Sequence, residues 1–141
     1  MILKNINKLA SVLDSELSHN LAILFLRLGI YPKTQVYKIQ SNIGNLKFRN
    51  PLGLAAGFDK NGMVINQISN LGFGFTEIGT VTPNPQSGNR KPRIFRLAED
   101  KAIINRNGFN NDGMNIIKQR LKTYKNKRNN NSFFVGVNIG P

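Results

Sequence analysis

Apolar residues recur at helical spacing near the start of this chain and gather into short runs further on. That change of period is the first guide to its organisation. Ile2, Leu3, Ile6, Leu9, Ala10 and Leu13 share one face, with Lys4 and Lys8 between them, and predict an amphipathic segment. A second segment follows. Asp14 stands where a helix N-cap belongs, Glu16 falls in the first turn, and Leu17, Leu21, Leu24, Phe25 and Leu28 form one stripe that Gly29 ends.

Beyond Pro32 the runs shorten. Residues 35–39 and 46–48 flank a turn at 42–45 and read as a small hairpin, placed as a plug at the bottom of the sheet. Residues 52–56 read as a first strand, 63–70 as a helix ended by Leu71 and Gly72, and 75–78 as a second strand. A Pro/Gly/Asn-rich loop spans 79–92, a length that is usually functional in a compact domain. Residues 93–97 and 102–105 suggest another hairpin. Asp112 is the expected N-cap of a helix to residue 124, and 133–138 is a third strand. Strands alternating with helices predict an α/β fold with a parallel sheet. The chain divides into a helical extension, 1–31, and a β/α region, 32–141, without internal repeats.

With 40% hydrophobic residues and nine Phe, the chain can build a core and is not expected to be disordered. It has no cysteine and one histidine, which excludes disulfides and thiolate or histidine-rich metal sites. The formal charge is +13, with a cluster at Lys118, Arg120, Lys122, Lys125, Lys127 and Arg128. Basic and aromatic residues do not interleave there, so a solvated helix face is expected and a nucleic-acid partner is not. No apolar run reaches the roughly 20 residues of a membrane span, and Asp14, Glu16 and His19 interrupt any signal-peptide core. On pattern alone the first two segments are either a hairpin packed on the domain or interfacial helices that dip an apolar face into a membrane.

Candidate chemistry starts at residues 50–62. A run too short for a helix ends in small residues, Ala55, Ala56 and Gly57, and then delivers Phe58, Asp59 and Lys60 where the strand stops. Ligands of β/α proteins sit at such strand ends. Small residues let a flat ligand approach the backbone, and a lysine offers a cation to an electron-rich partner. Spacing says ligand loop and nothing more.

Further blocks follow in order: Glu77-Ile78-Gly79-Thr80-Val81-Thr82-Pro83, then Gln86 to Pro92 with Arg93-Ile94-Phe95-Arg96, then Ile104-Asn105-Arg106-Asn107-Gly108-Phe109-Asn110-Asn111, then Gly136-Val137-Asn138-Ile139-Gly140. Together with residues 50–62 they resemble the dihydroorotate dehydrogenases, over nearly all of 46–140. The N-terminal helices, including Leu13-Asp14-Ser15-Glu16 and His19, resemble the extension of the class 2, quinone-dependent enzymes.

That resemblance implies a (β/α)₈ TIM barrel, of which this chain supplies the extension and the first three strands, since a whole barrel takes about 250 residues. It implies FMN lined by Ala56, Gly57, Phe58, Asp59, Lys60, Thr80 and Asn138. Dihydroorotate would meet Lys60, Asn105, Arg106, Asn107, Gly108 and Phe109, although the family often has an apolar residue where Asn107 stands. Quinone is the implied acceptor, reached at the cytoplasmic side of the cell membrane through the peripheral extension. The serine base and the FMN phosphate grip are expected beyond residue 141, and no catalytic residue within the chain. Gly140-Pro141 departs from the family pattern of glycine, lysine and asparagine, as a truncation or frameshift would leave it. The expectation is a piece inactive alone, with two alternatives: a membrane-surface or interaction module, or one half of a split enzyme completed by a separate C-terminal chain.

Overall fold

The computed structural model describes residues 13–32, 34, 39–127 and 133–141. The first amphipathic segment up to Val12 and residues 35–38 lie outside them. Helix α1 spans Ser15–Arg27. As the sequence predicts, Asp14 caps it, its Oδ1 accepting from the N–H groups of Glu16 and Leu17 at 3.0 and 2.9 Å. The buried side of α1 carries Ile23 and Leu26, whereas Leu17, Leu24, Phe25 and Leu28 of the predicted stripe are exposed. A stripe read from spacing marks an apolar face without saying what covers it.

Strands β1 (Ser41–Ile43) and β2 (Leu46–Phe48) form an antiparallel hairpin. Its turn is confined to Gly44 and Asn45, so Asn42 and Ile43 of the predicted turn are strand, because Gly44 adopts φ +56 and closes the turn tightly. The Phe48 ring lies 5.3 Å from that of Phe75 and 4.8 Å from that of Phe134, against one end of the main sheet.

That sheet is parallel, in the order β3 (Gly53–Leu54), β4 (Phe75–Val81), β7 (Phe134–Ile139). Helix α2 (Ile65–Asn70) joins β3 to β4. It starts later than predicted because the Asp59 carboxylate takes the N–H groups of Met63 and Val64, both at 2.8 Å, and holds those residues in the preceding turn. Strand β4 continues past Ile78 to Val81, so Gly79, Thr80 and Val81 are strand and not loop. The ladder to β7 carries it on through a register shift, pairing Val81 with Ile139. Strands β5 (Ile94–Leu97) and β6 (Ala102–Asn105) form the predicted hairpin.

Helix α3 spans Met114–Lys127. Asp112 does not stand at its cap position. Gly113 directly precedes the helix and donates to Asn111 Oδ1 at 2.8 Å, while the Asp112 carboxylate accepts from Arg120 at 2.6 Å. Ile23, Leu26, Val64, Ile65, Ile68, Ile78, Val81, Ile117 and Phe133 form one buried cluster, so α1, α2 and α3 share a core on one face of the sheet.

Candidate functional site

The opposite face and the ends of its strands form a cleft of about 400 Å³, lined by Ala56, Gly57, Lys60, Gly79, Thr80, Asn105, Arg106, Asn107, Gly108, Phe109, Asn110 and Asn138. Four stretches far apart in sequence meet there: the turn after β3, the end of β4, the loop after β6 and the end of β7.

Each wall has a local cause. Gly57 sits at φ +103 with its N–H on Gly79 O at 3.0 Å, and a Cβ built on it would meet nothing within 4 Å. The cleft therefore has a bare stretch of backbone where a flat ring can lie. Gly79, at φ +110, lets β4 pass so close to β7 that a Cβ would stand 2.5 Å from Asn138 O. Thr80 donates its hydroxyl to Asn138 Oδ1 at 2.6 Å, so two predicted cofactor contacts are already bonded to each other.

Lys60 is half-buried and donates from Nζ to Asn110 Oδ1 at 2.9 Å. Burial first, and the charge of Arg93 second, hold its ammonium below the ordinary lysine value, with Glu16 acting the other way. The loop after β6 is held from the hairpin side. Asn89 donates to Arg106 O at 2.7 Å and its N–H to Asn107 O at 3.0 Å, while Arg106 Nη2 reaches Pro92 O at 3.2 Å. Asn107 donates to Asn105 Oδ1 at 3.0 Å, but its own Oδ1 is buried with no hydrogen-bond partner. An orphaned buried acceptor in a cleft suits a ligand N–H or O–H.

Phe58 and Asp59 do not line this cleft. The Asp59 carboxylate is 1% exposed and turned into the start of α2, where burial raises its pKa although Val64, Met63 and Gly62 donate to it. Phe58 belongs to a second cavity of about 280 Å³ beneath α1, with Glu16, His19, Ile23 and Leu24. His19 meets Phe58 edge-to-face at 5.3 Å, and burial lowers its pKa. The two cavities share Gly57, Lys60, Asn107 and Asn110 as a common wall.

Sequence reasoning did not single out Asn110, Asn89 or Arg93 as site residues. Arg93 is 6% exposed and ties together Glu16, Ser87 O and Asn89 O. The dense asparagine run at 105–111 was the available signal for Asn110. Nothing in the spacing pairs residue 93 with residue 16. Among the described residues no helix is long and apolar enough to cross a membrane.

Residues 38–140 match the family model described as dihydroorotate dehydrogenase. The chain is 55% identical over 131 residues to a dihydroorotate dehydrogenase (quinone) of Bartonella henselae, covering 92% of this chain and 35% of that protein. It is 42% identical over 138 residues to the mitochondrial dihydroorotate dehydrogenase (quinone) of Mus musculus, covering 94% and 35%. The crystal structure of Eimeria tenella DHODH in complex with ferulenol superposes with TM-score 0.82 at 44% identity, covering 89% of this chain and 35% of that one. The chain thus spans about a third of the length of the relatives it matches, and its fold is the N-terminal part of their α/β barrel.

Proposed function

Because this chain belongs to the dihydroorotate dehydrogenase family, we propose that it forms the flavin- and substrate-facing wall of an enzyme that oxidises dihydroorotate to orotate with a quinone as final acceptor. One observation carries the reading. Ala56, Gly57, Lys60, residues 79–80, residues 105–110 and Asn138 converge on a single cleft that has a side-chain-free floor at Gly57 and an unpaired acceptor at Asn107.

The residues fit FMN. Backbone at Ala56 and Gly57 admits a flat ring, Thr80 and Asn138 offer polar groups at its edge, and Lys60 offers positive charge to an electron-rich system. Ala56, Gly57, Lys60, Thr80 and Asn138 would hold FMN, which would supply the redox chemistry linking dihydroorotate to the quinone. Asp59 serves that surface indirectly, by fixing the turn that carries Lys60. On the substrate side, Asn105 and Asn107 present amides to the edge of a pyrimidine ring, Lys60 presents a cation to its carboxylate, and Arg106 lines the same loop. Gly108 and Phe109 complete the loop. No serine lines the cleft among the described residues. A proton acceptor belongs to the length that the relatives carry beyond the match.

The second cavity is the approach for the quinone, and the exposed Leu17, Leu24, Phe25 and Leu28 of α1 seat the protein peripherally on the cytoplasmic side of the cell membrane. Flotation with liposomes tests this seat. Leu24→Ser and Phe25→Ser together should abolish it.

The activity is tested in a chimera in which this chain replaces the stretch of the Bartonella henselae enzyme that it matches. The purified chimera should be yellow and should reduce a soluble quinone at the expense of dihydroorotate. A folded, colourless chimera that forms no orotate would overturn the proposal.

A further inference from the structure

Two cavities meet at one wall, and a single buried arginine is bonded toward both. The cavity beneath α1 is lined by Glu16, His19 and Ile23 of that helix, and it shares Lys60, Asn107 and Asn110 with the cleft. Arg93 gives two nitrogens to the Glu16 carboxylate and the third to Ser87 O and Asn89 O. Asn89 passes the hold on, donating its side chain to Arg106 O and its backbone N–H to Asn107 O. Between them Gly88 sits at φ +73. A Cβ built on it would stand 2.2 Å from Asn107 O and 2.6 Å from Arg93 Nη1, so the stretch 87–89 is clamped between the guanidinium and the cleft loop without slack.

We propose that Arg93 is a positioning residue that couples the two cavities, so that a ligand beneath α1 and a ligand in the cleft each tighten the other. The inference rests on the function proposed above for the identity of the two ligands, a quinone beneath α1 and a pyrimidine carboxylate in the cleft. A ligand beneath α1 touches that helix on one side and Asn107 and Asn110 on the other, so it binds with α1 seated and favours that state. Seating α1 brings Glu16 to Arg93. With α1 lifted, the guanidinium, 6% exposed, has lost its counter-charge. A buried unpaired charge is costly, so the side chain turns to water and releases Ser87 O and Asn89 O. The cleft loop then loses its anchor. Lys60 feels the same event, since Glu16 favours its ammonium and Arg93 opposes it. Departure of Glu16 leaves Arg93 unopposed and weakens the cation offered to a carboxylate. Both effects have one sign. The cleft takes its ligand best with α1 seated, and by linkage a ligand in the cleft seats α1.

The test uses the chimera described above, which keeps the whole of this chain, with orotate and a short-chain soluble quinone as probes. Both are oxidised, so they can be bound together without turnover. Titration calorimetry measures each affinity with and without the other ligand. Each should tighten the other by the same factor, about fivefold or more. Glu16→Gln cuts the link at α1, and Asn89→Ala, at an exposed position that the fold tolerates, cuts it at the cleft loop. Either should bring the factor toward one, and the double variant should lose no more than either alone, as two links in series require. Lys91→Ala removes an exposed partner of the same carboxylate and should leave the factor unchanged. A merely structural role would lower the melting temperature or both affinities and leave the factor intact. Independent binding in the parent chimera, or a factor that survives both Glu16→Gln and Asn89→Ala, overturns the coupling and leaves the proposed function standing. A chimera that binds neither ligand overturns the proposed function and the coupling with it.

Discussion

Arg93 donates from Nε and Nη2 to the two carboxylate oxygens of Glu16, at 3.2 and 2.5 Å, and so joins residues 77 positions apart. Its remaining nitrogen, Nη1, holds Ser87 O at 2.6 Å and Asn89 O at 3.2 Å. Since Asn89 in turn holds the backbone of Arg106 and Asn107, the position of α1 and the shape of the cleft loop share one guanidinium.

Removing Arg93 leaves the largely buried Glu16 carboxylate with only the exposed Lys91 beside it. Arg93→Met should cost about 3 kcal/mol in a denaturant titration. Lys91, 63% exposed and 3.3 Å from the same carboxylate, should matter little when replaced by alanine. Equal losses at the two positions would contradict the burial argument.

The pair also sets a pH dependence. The hydrogen bond from Arg93 holds the Glu16 carboxyl below its ordinary 4.5, against a smaller opposing effect of burial. A carboxyl lowered on folding adds stability above its unfolded pKa and loses it as pH falls through the folded value. The stability gap between the parent and Glu16→Gln should therefore be full at neutral pH, shrink as pH falls below the ordinary 4.5, and close once pH has passed through the lowered folded value. Melts of both proteins across that range check it.

Asp59→Asn tests a residue first expected at the cofactor. Its carboxylate takes two backbone N–H groups at 2.8 Å, and an amide can accept only one of them while turning its own N–H₂ toward the other. A loss of about 2 kcal/mol is expected. Undiminished stability with altered ligand binding would restore the direct role.

Lys60 should give up its proton below its ordinary 10.5, because burial and Arg93 both disfavour the ammonium. The sign follows: its charge weighs against folding at neutral pH, and that penalty is relieved as pH rises toward 10.5. Nitrogen NMR of the Lys60 Nζ measures the midpoint directly. A value at or above 10.5 would contradict the half-buried position.

Thr80→Val removes the donor to Asn138 Oδ1 and leaves that oxygen unpaired, so about 1 to 2 kcal/mol of stability should be lost. Thr80→Ser, which keeps the hydroxyl, should recover most of it.

The sequence by itself determined the local elements whose causes lie within a few residues. Asp14 capping α1, the β5–β6 hairpin and the alternation of strand and helix are of that kind, and so are the family blocks that named most of the cleft. It placed Gly57, Lys60, Thr80, Asn105 and Asn138 at strand ends, because strand ends are where short apolar runs stop. What depends on neighbours distant in sequence was decided only by tertiary structure. Gly79 reads as a strand end until β7 lies beside it and prolongs β4 to Val81. The stripe of α1 was legible as apolar, but which side is buried follows from the core that meets Ile23 and Leu26. Asp59 reads as one more residue of the flavin-lining run until the turn before α2 takes up its carboxylate, and Arg93 is one arginine among many until Glu16 arrives. Periodicity records a face and its polarity. Burial and pairing are properties of two surfaces in contact, and the second surface comes from elsewhere in the chain.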